Sequence, residues 1–257
     1  MEETRDEENP EPEDNQSIPS EPLTVPYYTY ILVAGIVIVA AVQFLTDPPA
    51  VRELGYVSYS VWAAGFVKQL FLEGEYWRFL TASVVHANLM HIAFNSYAFY
   101  SFGKLVEQLS NRANVPIIFL LAAIGGGAAS LVFNPTVISV GASGGIIGLL
   151  GYMIVYSVKR RQFISKEFRR SLIFNAGFIL VYGLILSGSI DNYAHASGFV
   201  TGAIYGSIQV TGDPYKDPRE AGRLIKFAGV ASLAITILTC ILAIVLILNF
   251  NVQSILQ

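Results

Sequence analysis

Six stretches of this chain run for at least 20 residues without a single Asp, Glu, Lys or Arg. A helix needs about 20 apolar residues to cross the hydrocarbon layer of a membrane. The stretch 113–158 is long enough for two crossings, and Asn134-Pro135 together with the glycines of 141–145 supplies the break between them. The sequence therefore predicts seven transmembrane helices, at 27–46, 82–104, 114–133, 143–158, 171–188, 193–211 and 227–249.

The composition excludes several other classes of protein. Charged residues make up 14% of the chain, whereas a soluble domain carries about a quarter. A nucleic-acid-binding protein would present a basic surface, and the single cysteine, Cys240, allows neither an intramolecular disulfide nor a multi-cysteine metal site. Because the apolar stretches do not alternate with period two, a β-barrel is disfavoured. The predicted fold class is an all-α, polytopic membrane helical bundle.

Charge is divided unevenly along the chain. The segment 1–26 is acidic and rich in proline, which predicts a disordered tail. The loops after the second, fourth and sixth spans hold twelve Lys and Arg residues, against three in the alternate loops. By the positive-inside rule the N-terminus and the linker 212–226 are then cytoplasmic, and 227–257 forms the seventh helix with a short outer tail. A prokaryotic plasma membrane is the predicted location, with an internal eukaryotic membrane as the alternative.

The first outer loop, 47–80, is long and rich in aromatic residues. Aromatic rings with polar tips favour the boundary between membrane and water. We expect short helices that lie in the outer interface, and the pattern alone does not separate a simple aromatic anchor from a functional element.

Polar residues from distant segments fall at one predicted depth. His86, His91 and His195 lie near the outer ends of the second and sixth spans, and Ser143 opens the fourth. Ionisable groups at membrane depth are costly and usually mark function, although polar residues also bond to one another between helices. His91 shares a helix face with Asn95, four residues later.

Serine needs a base within hydrogen-bond reach to become a nucleophile, and a neutral imidazole suits that task. Ser143 lies in Gly141-Ala142-Ser143-Gly144 at a helix start, where unpaired backbone N–H groups can hold an oxyanion. Small residues follow both Ser143 and His195 at helical spacing and permit close approach of the two helices: Gly144, Gly148, Gly151, Gly198, Gly202 and Gly206. Asp191 could orient the imidazole but fits a helix N-cap better. The residues therefore predict a Ser–His dyad rather than a triad.

In combination these motifs resemble those of the rhomboid intramembrane serine proteases, over about residues 28–211. Tyr76-Trp77-Arg78 is similar to the family's Trp-Arg motif, and Gly103 with Glu107 to its Gly-x-x-x-Glu element. Three further segments are similar to the family's motifs in order and spacing. They are the segment from His86 through His91 to Asn95, the motif around Ser143, and the run from Ala194 to Gly202. The resemblance implies a six-helix core, 27–211, followed by one additional helix.

The resemblance also implies roles for single residues. Ser143 would be the nucleophile and His195 the general base, with the oxyanion held by His91, Asn95 and the backbone N–H of Ser143. His86 would support that hole or a water site, and further residues would have supporting roles. These are Trp77 and Arg78 in the outer loop, the glycines Gly141, Gly144, Gly198 and Gly202 around the dyad, and Glu107 at the inner end of the second span. One position departs from the family, since Ile147 stands where a tyrosine often stacks on the imidazole.

The predicted activity is peptide-bond hydrolysis in single-pass or multi-pass membrane proteins, at the outer face of the bilayer and without cofactor, metal or nucleic acid. A rhomboid-fold pseudoprotease, which binds membrane clients without cutting them, is the alternative, and Ile147 is the feature that favours it. A transporter is disfavoured by the lack of charged residues in the spans and of an internal repeat. A metalloprotease is disfavoured by the lack of a His-Glu-x-x-His motif.

Overall fold

The computed structural model describes residues 25–47, 58–185 and 190–250. These ranges contain ten helices and no regular strand, in agreement with the predicted all-α class. The predicted acidic tail falls on residues outside the described ranges, except for its last two residues, and so does the predicted tail after residue 250.

Seven of the ten helices are long, and each corresponds to one predicted span. They are α1 (Tyr27–Thr46), α5 (Leu89–Leu109), α6 (Asn114–Phe133), α7 (Ser143–Lys159), α8 (Lys166–Ile185), α9 (Asn192–Gln209) and α10 (Arg223–Asn249). Four of these, α1, α6, α8 and α10, are long and apolar enough to cross a membrane, and α7 is an apolar helix of shorter length.

The predicted boundaries of the second span are wrong at both ends. Its helix, α5, begins at Leu89 rather than at 82 and continues to Leu109 rather than to 104. The late start has a local cause, because the side chain of Asn88 accepts a hydrogen bond from the backbone N–H of His91 and caps the helix. Residues 82–88 consequently form an irregular segment that leads His86 toward the bundle.

The part of the outer loop that the structure describes contains the short helices that the sequence predicted: α2 (Tyr59–Ala64), α3 (Lys68–Leu72) and α4 (Arg78–Thr81). Arg78 is buried and joins them, since its guanidinium donates to the carbonyl oxygens of Trp62 at 2.6 Å and Gly65 at 3.0 Å. Trp77 remains 39% exposed beside it. Arg78 thus fixes the loop from within, and Trp77 lies at its surface.

Helix α7 is the centre of the bundle. It packs against α5, α6, α8 and α9, and Leu149, Leu150 and Met153 on it are completely buried. The last helix, α10, packs instead against α1 and α6, on another side of the bundle. Helix α8 is the least buried of the long helices, with Leu172 and Gly183 as its buried residues.

Two buried polar contacts mark the end of the bundle opposite Ser143. The Glu107 carboxylate accepts hydrogen bonds from the backbone N–H of Thr29 at 2.5 Å and from its hydroxyl at 2.7 Å, within the first turn of α1. Gly103 makes room for this contact, because a Cβ atom there would lie 2.7 Å from the Thr29 hydroxyl oxygen. The spacing of Gly103 and Glu107 therefore serves the docking of α1 on α5.

Candidate active site

A turn places Ser143 at the first position of α7. Gly141 has a φ angle of +119°, a backbone conformation that other residues rarely adopt. Its N–H donates to the carbonyl oxygen of Ala82 at 2.9 Å, which fixes the turn against the segment before α5. The first helical bond of α7 runs from Ile146 to Ala142, so the N–H of Ser143 has no partner within its helix.

His195 lies in the first turn of α9, which is capped by Asp191. The Asp191 carboxylate accepts from the N–H of Ala194 at 3.2 Å, as the sequence predicted for an N-cap. The Nε2 atom of His195 is 2.7 Å from the hydroxyl oxygen of Ser143. The two residues that the sequence predicted to meet are therefore in hydrogen-bond contact.

A seam of glycines lets α7 and α9 approach closely enough for that contact. A Cβ atom at Gly198 would lie 3.0 Å from the carbonyl carbon of Gly144, and one at Gly202 would lie 2.7 Å from the Cα atom of Gly148. At both positions the nearest backbone atom of α7, a carbonyl oxygen, would lie closer than 3.0 Å, which leaves no room for a side chain. The backbones of the two helices therefore touch directly, with Ser143 and His195 at one end of the seam.

His91 and Asn95 form the other wall of the site. A Cβ atom at Gly141 would lie 2.7 Å from Nε2 of His91 and 3.4 Å from Nδ2 of Asn95, so both side chains lie against the turn that leads to Ser143. Within the described part of the chain, Nδ2 of Asn95 is buried and has no hydrogen-bond partner. A buried donor without a partner calls for an explanation.

His86 lies behind His91 and is held through its backbone. Gln43 of α1 donates to the carbonyl oxygen of His86 and accepts from its N–H, both at 3.0 Å. The imidazole rings of His86 and His91 meet edge to face, with their centroids 5.1 Å apart. Both ring nitrogens of His86 are buried and lack partners among the described residues. Gln43 was missed by the sequence analysis, although a glutamine in an apolar span was a signal.

Two further charged residues lie close to the site. Lys68 of α3 is buried, and its ammonium group is 4.0 Å from the carboxylate of Asp191. Burial lowers the pKa of Lys68 to about 8, and the charge of Asp191 opposes that shift. Burial alone would raise the pKa of Asp191, but hydrogen bonds from Ser130 and Ser139, together with Lys68, hold it below its usual value. In the sequence, Lys68 is recognisable only as one of the three basic residues of the first outer loop.

Two further candidate positions, Gly144 and Ile147, follow Ser143 on α7. Gly144 lies on the seam, and a Cβ atom at this position would lie 3.7 Å from the carbonyl oxygen of Ala194. Ile147, one turn after Ser143, is buried on α7. Among the described residues there is no group of three or more His, Cys, Asp or Glu side chains that could hold a metal ion.

The fold is an all-helical bundle with several helices that can span a membrane. A serine and a histidine from different helices meet at the end of a glycine seam in this bundle. Together, fold and site define a class of polytopic membrane protein with the geometry of a serine hydrolase. The sequence model of the Rhomboid domain matches residues 73–211, just over half of the chain. The chain therefore belongs to the rhomboid family and is a multi-pass membrane protein.

Individual relatives agree with this assignment. The chain is 36% identical over 133 residues to rhomboid protease GluP of Bacillus subtilis, a match that covers 52% of this chain and 26% of the relative. It is 31% identical over 136 residues to RHOMBOID-like protein 1 of Arabidopsis thaliana, covering 52% and 34%. It is 30% identical over 130 residues to the putative rhomboid protease YdcA of Bacillus subtilis, covering 50% and 65%. The matches thus span between a quarter and two thirds of these relatives.

Proposed function

We propose that this protein is an intramembrane serine endopeptidase that uses Ser143 and His195 as a catalytic dyad. The observation that carries the proposal is the 2.7 Å contact between the Ser143 hydroxyl and Nε2 of His195. Distances of about 2.6–3.2 Å are those at which an imidazole can remove the proton of an attacking hydroxyl. The two bacterial relatives are named rhomboid protease GluP and putative rhomboid protease YdcA, and both names support the same activity.

The reaction proceeds in two halves. The Ser143 oxygen attacks the carbonyl carbon of the scissile peptide bond while His195 takes the hydroxyl proton. The tetrahedral intermediate collapses, His195 passes that proton to the leaving amine, and an acyl-enzyme ester remains on Ser143. Water then attacks the ester with His195 as the base, and the new carboxyl end leaves as the serine hydroxyl is restored.

The oxyanion of the intermediate has three donors within the site. The backbone N–H of Ser143 has no partner within its helix, and Nδ2 of Asn95 has none among the described residues. The ring of His91 lies beside the same turn. Donors that are fixed before the reaction stabilise the developing charge without reorganisation.

The proposed substrates are membrane-anchored proteins whose helix unwinds near the outer face of the membrane. Helix α8 supports lateral access to the site, because most of its side chains are exposed and it packs only lightly on α9. Family resemblance suggests small residues at the cleaved position, with helix-breaking residues nearby. The active site would open to the outer side, as the distribution of charge predicts.

Reconstitution with a single-span substrate tests this function, together with labelling by a serine-reactive fluorophosphonate. We expect Ser143→Ala and His195→Ala to lose cleavage by a factor on the order of 10⁴–10⁶, and Ser143→Ala to lose the label. Ser101→Ala is the matched control, since among the described residues that hydroxyl bonds to the carbonyl oxygen of Tyr97 alone, on the exposed side of α5. Equal cleavage by all variants would refute the dyad. A wild-type protein that binds substrate but neither labels nor cleaves would favour the pseudoprotease, the reading to which Ile147 points.

A further inference from the structure

A network of buried charges and hydroxyl groups lies directly behind the Ser143–His195 pair. Lys68 and Asp191 are its charged members, with side chains that are only 1% and 11% exposed. Ser130, at the end of α6, and Ser139, in the segment before α7, are its hydroxyl members. The network thus joins the outer loop, α6, the segment before α7 and the first residue before α9.

Each polar side chain in the network has a hydrogen-bond partner within it or on the neighbouring backbone. The Lys68 ammonium donates to the carbonyl oxygen of Val137 and to the hydroxyl oxygen of Ser139. Ser139 donates in turn to the Asp191 carboxylate at 2.5 Å, and Ser130 donates to the same carboxylate oxygen. One hydroxyl therefore bridges a buried cation and a buried anion, an arrangement in which the loss of either charge strands the other.

The network contacts the backbone four residues before each member of the dyad. Ser139 is four residues before Ser143, and its backbone pairs with that of Phe66 through hydrogen bonds of 2.9 and 3.3 Å. Asp191 is four residues before His195, and its carbonyl oxygen accepts from the N–H of His195 at 3.1 Å. The two segments that end in the nucleophile and in the base are thus fastened to each other through Ser139 and Asp191.

We propose that Lys68 and Asp191 are positioning residues that hold the Ser143 and His195 segments in register through the Ser139 hydroxyl. The inference rests on the proposed protease function. In this arrangement the Asp191 carboxylate fixes the position of the His195 imidazole indirectly, through the backbone of the first turn of α9. It takes over part of the work that the third residue of a serine–histidine–aspartate triad performs by direct contact. This provides the dyad with rigid support although Ile147 replaces an aromatic residue.

The test compares Asp191→Asn, Lys68→Met and the double variant with the wild type in detergent or proteoliposomes. The readout is the rate constant of fluorophosphonate labelling at saturating probe, measured separately from the fraction of protein that becomes labelled. Because a displacement of about 1 Å can cost on the order of 10² in rate, we expect each single variant to label about 10–100 times more slowly. The double variant should recover much of that loss, because it leaves no buried charge unpaired.

Two variants that leave the net charge unchanged keep the test decisive if the charge-removing variants do not fold. Ser139→Ala removes the bridging hydroxyl alone and should also slow labelling, while Lys68→Arg keeps the charge and should retain most of the rate. Asp217→Asn is the matched control, since it breaks the exposed ion pair with Arg219 in the linker. That variant should label at the wild-type rate.

The outcomes separate this inference from the function on which it rests. If wild-type protein labels and Ser143→Ala does not, but the network variants keep the wild-type rate constant, the inference is overturned and the proposed function stands. The same conclusion follows if the variants lose only the labelled fraction, because that result shows a purely structural role. Wild-type protein that never labels would overturn both.

Discussion

Asn95 is 7% exposed, and its Nδ2 atom lacks a partner among the described residues although it lies beside the turn at Gly141. Leaving a buried amide donor unpaired has a free-energy cost of about 1–3 kcal/mol in a folded protein. The cost is offset if the Asn95 donor forms a hydrogen bond when negative charge develops on the substrate carbonyl oxygen, close to Ser143. A substitution of Asn95 therefore tests the proposed oxyanion hole more directly than a substitution of Ser143 or His195 does.

We expect Asn95→Ala to lower the catalytic rate constant by a factor on the order of 10²–10³, the usual effect of removing one oxyanion donor. Asn249→Ala should have no effect, since that exposed amide donates to the carbonyl oxygen of Val245 within α10. Steady-state cleavage of a single-span substrate by both variants provides the comparison. A similar rate in Asn95→Ala and wild type would remove Asn95 from the oxyanion hole, and would leave the dyad untested.

The residues that meet at the site could be predicted from the sequence, because each lies on an apolar helix whose depth the charge pattern fixes. Ser143, His195, His91 and Asn95 all belong to this group. Lys68 could not be predicted to join them, since its partner Val137 is 69 residues away and the contact depends on how the outer loop folds. Gln43 was recognisable as a polar residue in an apolar span, but the sequence did not indicate that its partner is the backbone of His86, 43 residues away.

The seam between α7 and α9 is the element that brings the dyad together. Its glycines follow a helical spacing, which is why the sequence indicated the two faces correctly. The start of α5 was predicted seven residues too early, because an uncharged run shows where a helix can form but does not show that Asn88 ends the irregular segment. Local capping, rather than hydrophobicity, sets that boundary.

Gly202→Ala tests the seam. The new methyl group would lie 2.7 Å from the Cα atom of Gly148, and overpacking of this kind destabilises a protein by about 1–3 kcal/mol. We therefore expect a lower melting temperature and slower cleavage, because the wider seam separates His195 from Ser143. Thermal unfolding in detergent and substrate cleavage measure the two effects.

Gly177→Ala provides the matched control on α8, where a Cβ atom would meet nothing within 4 Å. Replacing an unconstrained helical glycine with alanine stabilises a helix by about 0.5–1 kcal/mol. Gly177→Ala should thus leave the melting temperature unchanged or raise it. Equal melting temperatures for Gly202→Ala and Gly177→Ala would contradict a tight contact between α7 and α9.

For the molecule as a whole, the buried Lys68 links stability to pH. Burial lowers its pKa to about 8 in the folded protein, whereas a lysine in an unfolded chain has a pKa of about 10.4. Between these values the unfolded state binds more protons than the folded state, so the free energy of unfolding increases with pH. Below about pH 8 both states carry the proton, and Lys68 contributes no slope.

Comparison of wild type with Lys68→Met isolates this contribution. We expect the wild type to gain stability relative to Lys68→Met as the pH rises from about 8 to about 10, since titration of the other groups is common to both. Lys216→Met, in the exposed linker, should retain the wild-type slope. Melting temperatures measured across this pH range in one detergent would decide the matter, and parallel curves for wild type and Lys68→Met would show that Lys68 is not buried as a cation.

The direct contact of α7 with α9 has a further consequence for compounds that dissolve in lipid. No acyl chain fits between two helices whose backbones touch at Gly148 and Gly202. That flank of Ser143 is closed to hydrophobic inhibitors by the polypeptide itself. A drug that partitions into the bilayer has to approach along a different flank, and enlarging its apolar part should help only where the helices are loosely joined.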